Sequence, residues 1–199
     1  GFNLKISIDE LFKYSLTLHN NVLISVEEEL KNFIIDRLRI ILKTEEIKPD
    51  IIDSVLSLDN INNVPFLIIY KRIHLLNKII SLDEFNMFLV NFKRLNNILK
   101  SEDLSKYNSL NVNVDLLKTS FETNLCEMIN DINDLSTKLQ NELNIQEIVL
   151  DKFVEAYPSI NLFFENTIIN DKNEIIRENR LCLLFKLKQA IVNYANFDL

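Results

Sequence analysis

The chain has 199 residues and a formal net charge of −7, with 47% hydrophobic and 26% charged residues. This length and apolar content suffice for a buried core and exclude an intrinsically disordered protein. The acidic balance argues against a protein that grips nucleic acid with its whole surface, but it allows a local basic face. One Gly and three Pro leave few helix breakers, and the pattern predicts an all-α fold, a helical bundle.

The first 60 residues carry signals for three helices. Ser7 and Ser25 each stand three residues before a glutamate, the spacing of a capping box, which predicts a helix start after each serine. Residues 26–42 place apolar side chains three and four positions apart, as one face of a helix does. Pro49 suits the first turn of a short helix that ends near Leu56.

The middle of the chain continues the helical pattern. Pro65 opens a predicted helix, and Ser81 predicts the start of the next, which buries Phe and Leu side chains up to residue 99. After a polar loop, residues 115–139 are predicted to form a long helix. The residues assigned to its outer face are acidic: Glu122, Glu127, Asp131 and Asp134. The following helix is predicted to end before Pro158.

Residues 161–199 contain the element around which the bundle is expected to form. Asp171 has the position of a helix N-cap, and Glu174 completes a capping box. Apolar residues then recur along one stripe, with Leu187 near its middle, and further apolar residues lie on the opposite side. A helix that is apolar around most of its circumference is normally buried by several neighbours. This last helix is therefore predicted to lie at the centre of the bundle.

No residue set for catalysis stands out. One glycine cannot build a Gly-rich phosphate loop, and neither His19 nor His74 has a cysteine at metal-ligand spacing. Cys126 and Cys182 fall among apolar helix positions and are expected to be buried, reduced thiols. We therefore expect no catalytic residue, no metal and no cofactor in this segment. The sequence shows neither a secretory signal nor a membrane-spanning run, which favours a cytoplasmic protein without membrane contact.

Three stretches of the chain share a pattern with one protein family. The first is Arg37-Leu38, followed at residues 50–55 by a short helix of the form Asp-x-Ile-Asp-x-Val. The second is FKRLNNILK at residues 92–100. The third begins with a double Phe at residues 163–164, continues through a short apolar piece, and has Glu-x-x-Arg-x-Asn-Arg-Leu at residues 174–181 before an acidic tail.

This combination resembles the C-terminal end of the β subunit of the bacterial two-subunit glycyl-tRNA synthetase. The last helix also starts in a way that is similar to the Asp-Ala-Leu-Arg (DALR) motif of anticodon-binding domains. Here that motif reads Glu174-Ile175-Ile176-Arg177 and differs at three of four positions. The resemblance implies that residues 1–60 are helices from the adjoining β-subunit body. Residues 61–199 would then form an anticodon-binding bundle of the DALR type, cut from the end of a longer chain.

The function implied by this resemblance is recognition of tRNA(Gly), through its anticodon loop, within a glycine–tRNA ligase. The implied partners are the tRNA, the remainder of the β subunit and, through it, the α subunit. Because the family's adenylation and transfer centre lies on the α subunit, ATP is used by the parent complex and not by this segment.

Six residues are the candidates for contact with tRNA: Lys93, Arg94, Asn97, Lys100, Arg177 and Arg180. The first four lie on a polar side of the predicted helix that follows Ser81, where cations hold phosphates and an amide reaches a base edge. Arg180 falls within the apolar stripe of the last helix, which favours a structural arginine that binds carbonyls or a carboxylate. Arg177 falls at the edge of the stripe and is the better RNA candidate of the two. Lys71, Arg72 and His74 are possible extensions of the basic face.

Two alternatives remain open from the sequence. The Lys and Arg residues can form an ordinary polar helix face, and the acidic composition fits an all-helical protein-interaction or scaffold domain without RNA contact.

Overall fold

The structure is a computed structural model, and it describes residues 4–18, 24–138 and 142–198. Those residues contain eight α-helices and three short 3-10 helices and no strand, which confirms the predicted all-α class. The α-helices are α1 (Ile8–Leu18), α2 (Ile24–Thr44), α3 (Pro49–Leu56), α4 (Phe66–Ile79), α5 (Asp83–Leu99), α6 (Ser120–Lys138), α7 (Leu143–Asn166) and α8 (Glu174–Val192).

The helices form two compact units. The first consists of the described residues among Gly1–Ile80, Asn141–Glu147 and Tyr194–Leu199, and the second of those among Ser81–Gln140 and Ile148–Asn193. The predicted division after residue 60 concerns which part of the chain is an anticodon-binding bundle of the DALR type, and it stays a prediction.

In the first unit, α3 packs against α2 and α4. Arg72 of α4 is buried, and its Nε donates a hydrogen bond to the Gln146 side-chain oxygen at 2.6 Å. The Tyr194 ring lies 5.1 Å from the Arg72 guanidinium, and its hydroxyl donates to the Gln146 carbonyl at 3.0 Å. These contacts join three distant segments of sequence, so Arg72 is part of the unit's interior and not of an exposed basic face.

In the second unit, α8 packs against both α5 and α6. It is buried around most of its circumference, because Leu181, Cys182 and Phe185 are as inaccessible as the stripe that contains Leu187. The central position predicted for this helix is thus what the structure shows within its unit. The buried Phe and Leu side chains of α5 are also those that the sequence predicts, including Phe88 and Leu95.

Several predicted helix ends differ from the structure. Asn173, and not Asp171, caps α8, because its side-chain oxygen accepts from the N–H groups of residues 175 and 176. Helix α5 begins after Leu82 without a side-chain cap, so the predicted start at Ser81 is wrong. Pro158 lies inside α7, which continues to Asn166. Buried residues at 160, 163 and 164 extend its packed face, and their burial outweighs the single lost backbone hydrogen bond.

Other helix starts agree with the prediction. Ser7 N–H donates to the Glu10 carboxylate at 2.8 Å, and Glu10 N–H donates to the Ser7 hydroxyl at 3.1 Å, which is a complete capping box. Pro49 occupies the first turn of α3. Ser25 lies inside α2 and not before it, so the predicted helix start after Ser25 is wrong. The helix end predicted at residue 139 falls outside the described residues.

Candidate nucleic-acid interface

The C-terminal half of α5 presents an exposed polar stripe. Lys93 and Asn97 of α5, and Lys100 at its C-cap, are all exposed on the side of the helix away from its buried Phe and Leu residues. Within the described part of the chain, neither lysine forms an ion pair. Two unneutralised ammonium groups with an amide between them are suited to contact a phosphate backbone and a base edge.

Arg94 of α5 lies beside this stripe, and its side chain contacts Phe164 of α7. Its guanidinium carbon is 4.6 Å from the centroid of the buried Phe164 ring, and its Nη2 donates a hydrogen bond to the Phe164 carbonyl at 3.2 Å. The residue remains exposed as a whole. A cation held over an aromatic ring is preorganised, so Arg94 can both support the end of α7 and offer its remaining N–H groups to a phosphate.

Arg177, on the first turns of α8, is engaged with two carboxylates. Its Nη2 donates a hydrogen bond to the Glu102 carboxylate, and its Nη1 donates to Glu178 at 3.1 Å. Its side chain is 28% exposed. Glu102 lies three residues after the end of α5, so this ion pair joins the end of α5 to α8. The two carboxylates also neutralise much of the Arg177 charge, which the sequence predicts to contact RNA.

Arg180, one turn further along α8, is an interior residue. Its Nε donates to Glu122 at 2.6 Å, and its Nη1 donates to Asp171 at 2.7 Å and to the Ile168 carbonyl at 2.9 Å. The Arg180 side chain is 7% exposed and that of Glu122 is fully buried. These contacts are those of a structural arginine that binds carboxylates. Contact between Arg180 and tRNA would require these hydrogen bonds to break.

The two residues between these arginines also bind neighbouring segments. Glu178 accepts a hydrogen bond from the hydroxyl of the buried Tyr107 at 2.9 Å and pairs with Lys106 at the same distance. The Asn179 side chain accepts from the N–H of Asn113 at 2.8 Å and donates to its carbonyl at 3.0 Å. Residues 177–180 thus hold the long connection between α5 and α6 against the start of α8.

Two carboxylates of this network, Glu178 and Glu122, have depressed pKa values. Hydrogen bonds from Lys106 and Tyr107 outweigh partial burial and lower the pKa of Glu178. Burial acts to raise the pKa of Glu122, but hydrogen bonds from Arg180 and from two backbone N–H groups outweigh it and lower that pKa. Both groups are accordingly ionised near neutral pH, and their charges face Arg177 and Arg180 of α8.

Glu122 does not lie where the sequence pattern predicts it. The pattern predicts the acidic outer face of α6, but Glu122 is fully buried. The signal was present, since Thr119 precedes Glu122 by three residues, which is the capping-box spacing. In the structure Glu122 N–H donates to the Thr119 hydroxyl, and the N–H of Thr119 donates back to the carboxylate at 2.7 Å. This box is why α6 begins at Ser120 and not at residue 115.

The remaining candidates have partners of their own in the first unit. Lys71 and His74 belong to the first unit, where Lys71 pairs with Glu147 at 3.4 Å and His74 Nε2 lies 2.9 Å from Glu45. The described residues include no group of three metal-ligating side chains. Cys126 and Cys182 are buried free thiols, as predicted. Among the described helices, none has the length and apolar character needed to cross a bilayer.

Comparison with known proteins gives the clearest indication of the family. No family model matches the chain. The glycine–tRNA ligase β subunit of Listeria welshimeri serovar 6b is 30% identical over 174 residues, which are 87% of this chain and 23% of that protein. This chain is similar to part of a glycine–tRNA ligase β subunit. The β subunit of Listeria monocytogenes serotype 4b gives the same identity over 175 residues, and that of Buchnera aphidicola is 33% identical over 85 residues, 43% of this chain and 12% of that subunit.

The chain spans less than a quarter of the length of the Listeria β subunits that it matches. This likeness supports the resemblance inferred from the sequence at the level of a β-subunit segment, while the DALR type of domain stays a prediction. The polar residues of the Arg-x-Asn-Arg-Leu motif, on which the resemblance to the β subunit partly rests, form contacts within the protein. Its role within the second unit is to join α8 to the segments around it.

Proposed function

We propose that this chain contributes tRNA binding to a glycine–tRNA ligase β subunit, through the exposed stripe of Lys93, Asn97 and Lys100 on α5. The observation that carries the proposal is the similarity to glycine–tRNA ligase β subunits over 87% of the chain. The stripe supports it, because its two lysines have no carboxylate partner among the described residues and are free to displace counterions from a phosphate backbone. Arg94, at the edge of the stripe, adds a preorganised cation.

The part of tRNA(Gly) proposed to be bound is its anticodon loop, and the protein domain proposed to bind it is a bundle of the DALR type. Bases in a single-stranded loop are accessible to stacking and to hydrogen bonds along their edges, while lysines and arginines position the phosphates. The proposal places ATP-dependent glycine activation outside this segment, on an α subunit, in the cytoplasm. The remainder of a β subunit would then connect the tRNA-binding segment to that catalytic centre.

Binding of a glycine tRNA transcript at several salt concentrations tests this proposal. We expect the association constant to fall as salt rises, because bound lysines release counterions from the RNA. A transcript of another tRNA with the same length is the control for non-specific attraction. Equal affinity for both transcripts, or no salt-dependent binding, would remove tRNA(Gly) recognition from this chain.

One observation favours the alternative of a protein-interaction domain without RNA contact. The net charge is −7, and the α8 cations Arg177 and Arg180 are neutralised by internal carboxylates. That arrangement leaves few basic groups for a polyanion. The transcript titration separates the two functions, since a scaffold domain would show no preference for tRNA(Gly).

A further inference from the structure

A cavity of about 370 Å³ opens between α6 and α8 in the second unit. Its floor is apolar and buried, formed by Cys126, Ile129 and Leu183. The groups around it are four amides and one cation: Asn111, Asn130, Asn133, Gln189 and Lys186. None of the ten lining residues is a carboxylate, in a chain that carries 29 acidic residues.

One wall of this cavity is held in place by α8. The Asn179 amide makes two hydrogen bonds with the backbone of Asn113. The Cys182 thiol lies 3.9 Å from the Leu110 carbonyl. Because the connection is fastened on both sides, Asn111 and Val112 line the cavity between these two points. Asn179 is therefore a positioning residue for the cavity, although it does not line it.

The composition of the cavity matches one class of ligand. An amide side chain offers both a donor and an acceptor, as does the hydrogen-bonding edge of a nucleobase. The apolar floor accommodates the face of a planar ring, and the volume lies near the lower end of the ~300–1,000 Å³ range of small-molecule sites. Lys186 is suited to a neighbouring phosphate, and the absence of lining carboxylates avoids repulsion.

We infer that this cavity, which we call the amide cavity, receives one unstacked base of a single-stranded RNA loop. The inference rests on the proposed function, because it requires the chain to bind tRNA. It adds a base-reading site to the phosphate-binding stripe on α5. Val114, 64% exposed at the cavity, supplies an apolar surface for the incoming base.

The test is a coupling experiment between the cavity and individual bases. The probes are the glycine tRNA transcript and a set of transcripts in which each anticodon-loop nucleotide in turn is abasic. The proteins are the wild type, the Asn130→Ala/Gln189→Ala variant and the matched control Asn86→Ala, an exposed amide on α5. Urea midpoints establish that each variant is folded.

At one loop position, the abasic site and the cavity variant should each weaken binding roughly tenfold. Combined, they should weaken it no more than either change alone, since both remove the same contact. The Asn86→Ala control should show no coupling at any position. Val114→Asp, at an exposed residue, provides a second variant that should couple to the same position if Asn130→Ala/Gln189→Ala is unfolded.

Additive effects at every loop position would overturn the amide cavity as a base site while leaving tRNA binding by the chain intact. Failure of the wild type to prefer the glycine transcript would instead overturn the proposed function, and the inference with it.

Discussion

Lys93 and Lys100 on α5 and Arg177 and Arg180 on α8 are all basic residues in motifs that resemble the same family, but their charges meet different surroundings. The two lysines are exposed and without an ion-pair partner in the described chain. The two arginines contact carboxylates: Arg177 binds Glu102, and Arg180 binds Glu122. Both pairs of cations belong to the second unit, so the difference arises from their partners and not from the unit in which they lie.

This difference shows why a basic motif alone does not identify an RNA contact. A cation that is neutralised inside the protein is held by its internal partner, and its release for a phosphate would leave a carboxylate without a partner. An exposed lysine has no such cost. The α8 motif is accordingly expected to affect stability first, and the α5 stripe to affect RNA binding first.

Removing Arg180 should have the largest effect on stability. Arg180→Ala leaves the buried Glu122 carboxylate without its cation, and breaking a buried pair in this way costs roughly 3–5 kcal/mol. Urea unfolding measures the loss. Lys100→Ala is the matched control and should stay within about 0.5 kcal/mol of the wild type. Equal unfolding free energies for Arg180→Ala and Lys100→Ala would contradict the difference between a neutralised cation on α8 and an exposed one at α5.

Asn179→Ala should have the next largest effect. It removes both side-chain hydrogen bonds to Asn113, and leaving such groups unsatisfied costs about 1–3 kcal/mol. Hydrogen exchange should also show faster exchange of the Asn113 N–H, which loses its acceptor. Unchanged protection at that amide would contradict the assignment of Asn179 as the residue that fastens this connection.

Acid should weaken the second unit by protonating Glu122. Its folded-state pKa lies below its ordinary value of 4.5, so it contributes stability that is present above about pH 4.5 and is lost as pH falls through the folded pKa. Urea midpoints measured from pH 7 to pH 3 should fall more steeply for the wild type than for Glu122→Gln. Because Asp171 and Glu178 also have lowered pKa values and are retained in the variant, the difference between the curves isolates Glu122. Parallel curves would contradict this.

Arg177→Ala should have a small effect. The helix pattern alone predicts an edge residue whose loss stays within surface scatter, and the ion pairs with Glu102 and Glu178 raise the expected cost to about 1 kcal/mol at most. Chemical unfolding at low and high salt distinguishes a residue without an ion-pair contribution from one with it, since salt screening should reduce the free-energy cost of losing a partly exposed pair. A cost above 2 kcal/mol would place Arg177 with Arg180 as an interior residue.

The helices could be predicted from sequence because apolar spacing reports burial directly, as Phe88 on α5 and Leu187 on α8 illustrate. The partners of the arginines could not, because they lie far away in the chain. Glu102 is 75 residues from Arg177, and Glu122 is 58 residues from Arg180. The residues next to an arginine in sequence do not identify a carboxylate partner so far away. A glutamate near a helix start also resembles a solvent-exposed glutamate until its capping hydrogen bonds are known.

Of the predicted contact residues, the α5 stripe was predicted to be exposed, and the structure agrees. The amide cavity was not predicted, because its residues come from two helices and a loop that only the fold brings together. Pro158 shows the same limit, since local preference predicted a helix end and tertiary packing carried α7 through it.

The most direct test of the account is the salt dependence of tRNA(Gly) binding by Lys93→Ala/Lys100→Ala. The control is Lys13→Ala/Lys43→Ala, which removes the same charge from exposed positions in the first unit. We predict that the α5 variant keeps the wild-type unfolding midpoint and lowers the log–log salt slope by about two, one for each lost phosphate contact. The control should keep the wild-type slope. A slope that is unchanged in the α5 variant, or lowered equally in both, would contradict the central claim that the exposed stripe on α5 is the RNA-binding surface.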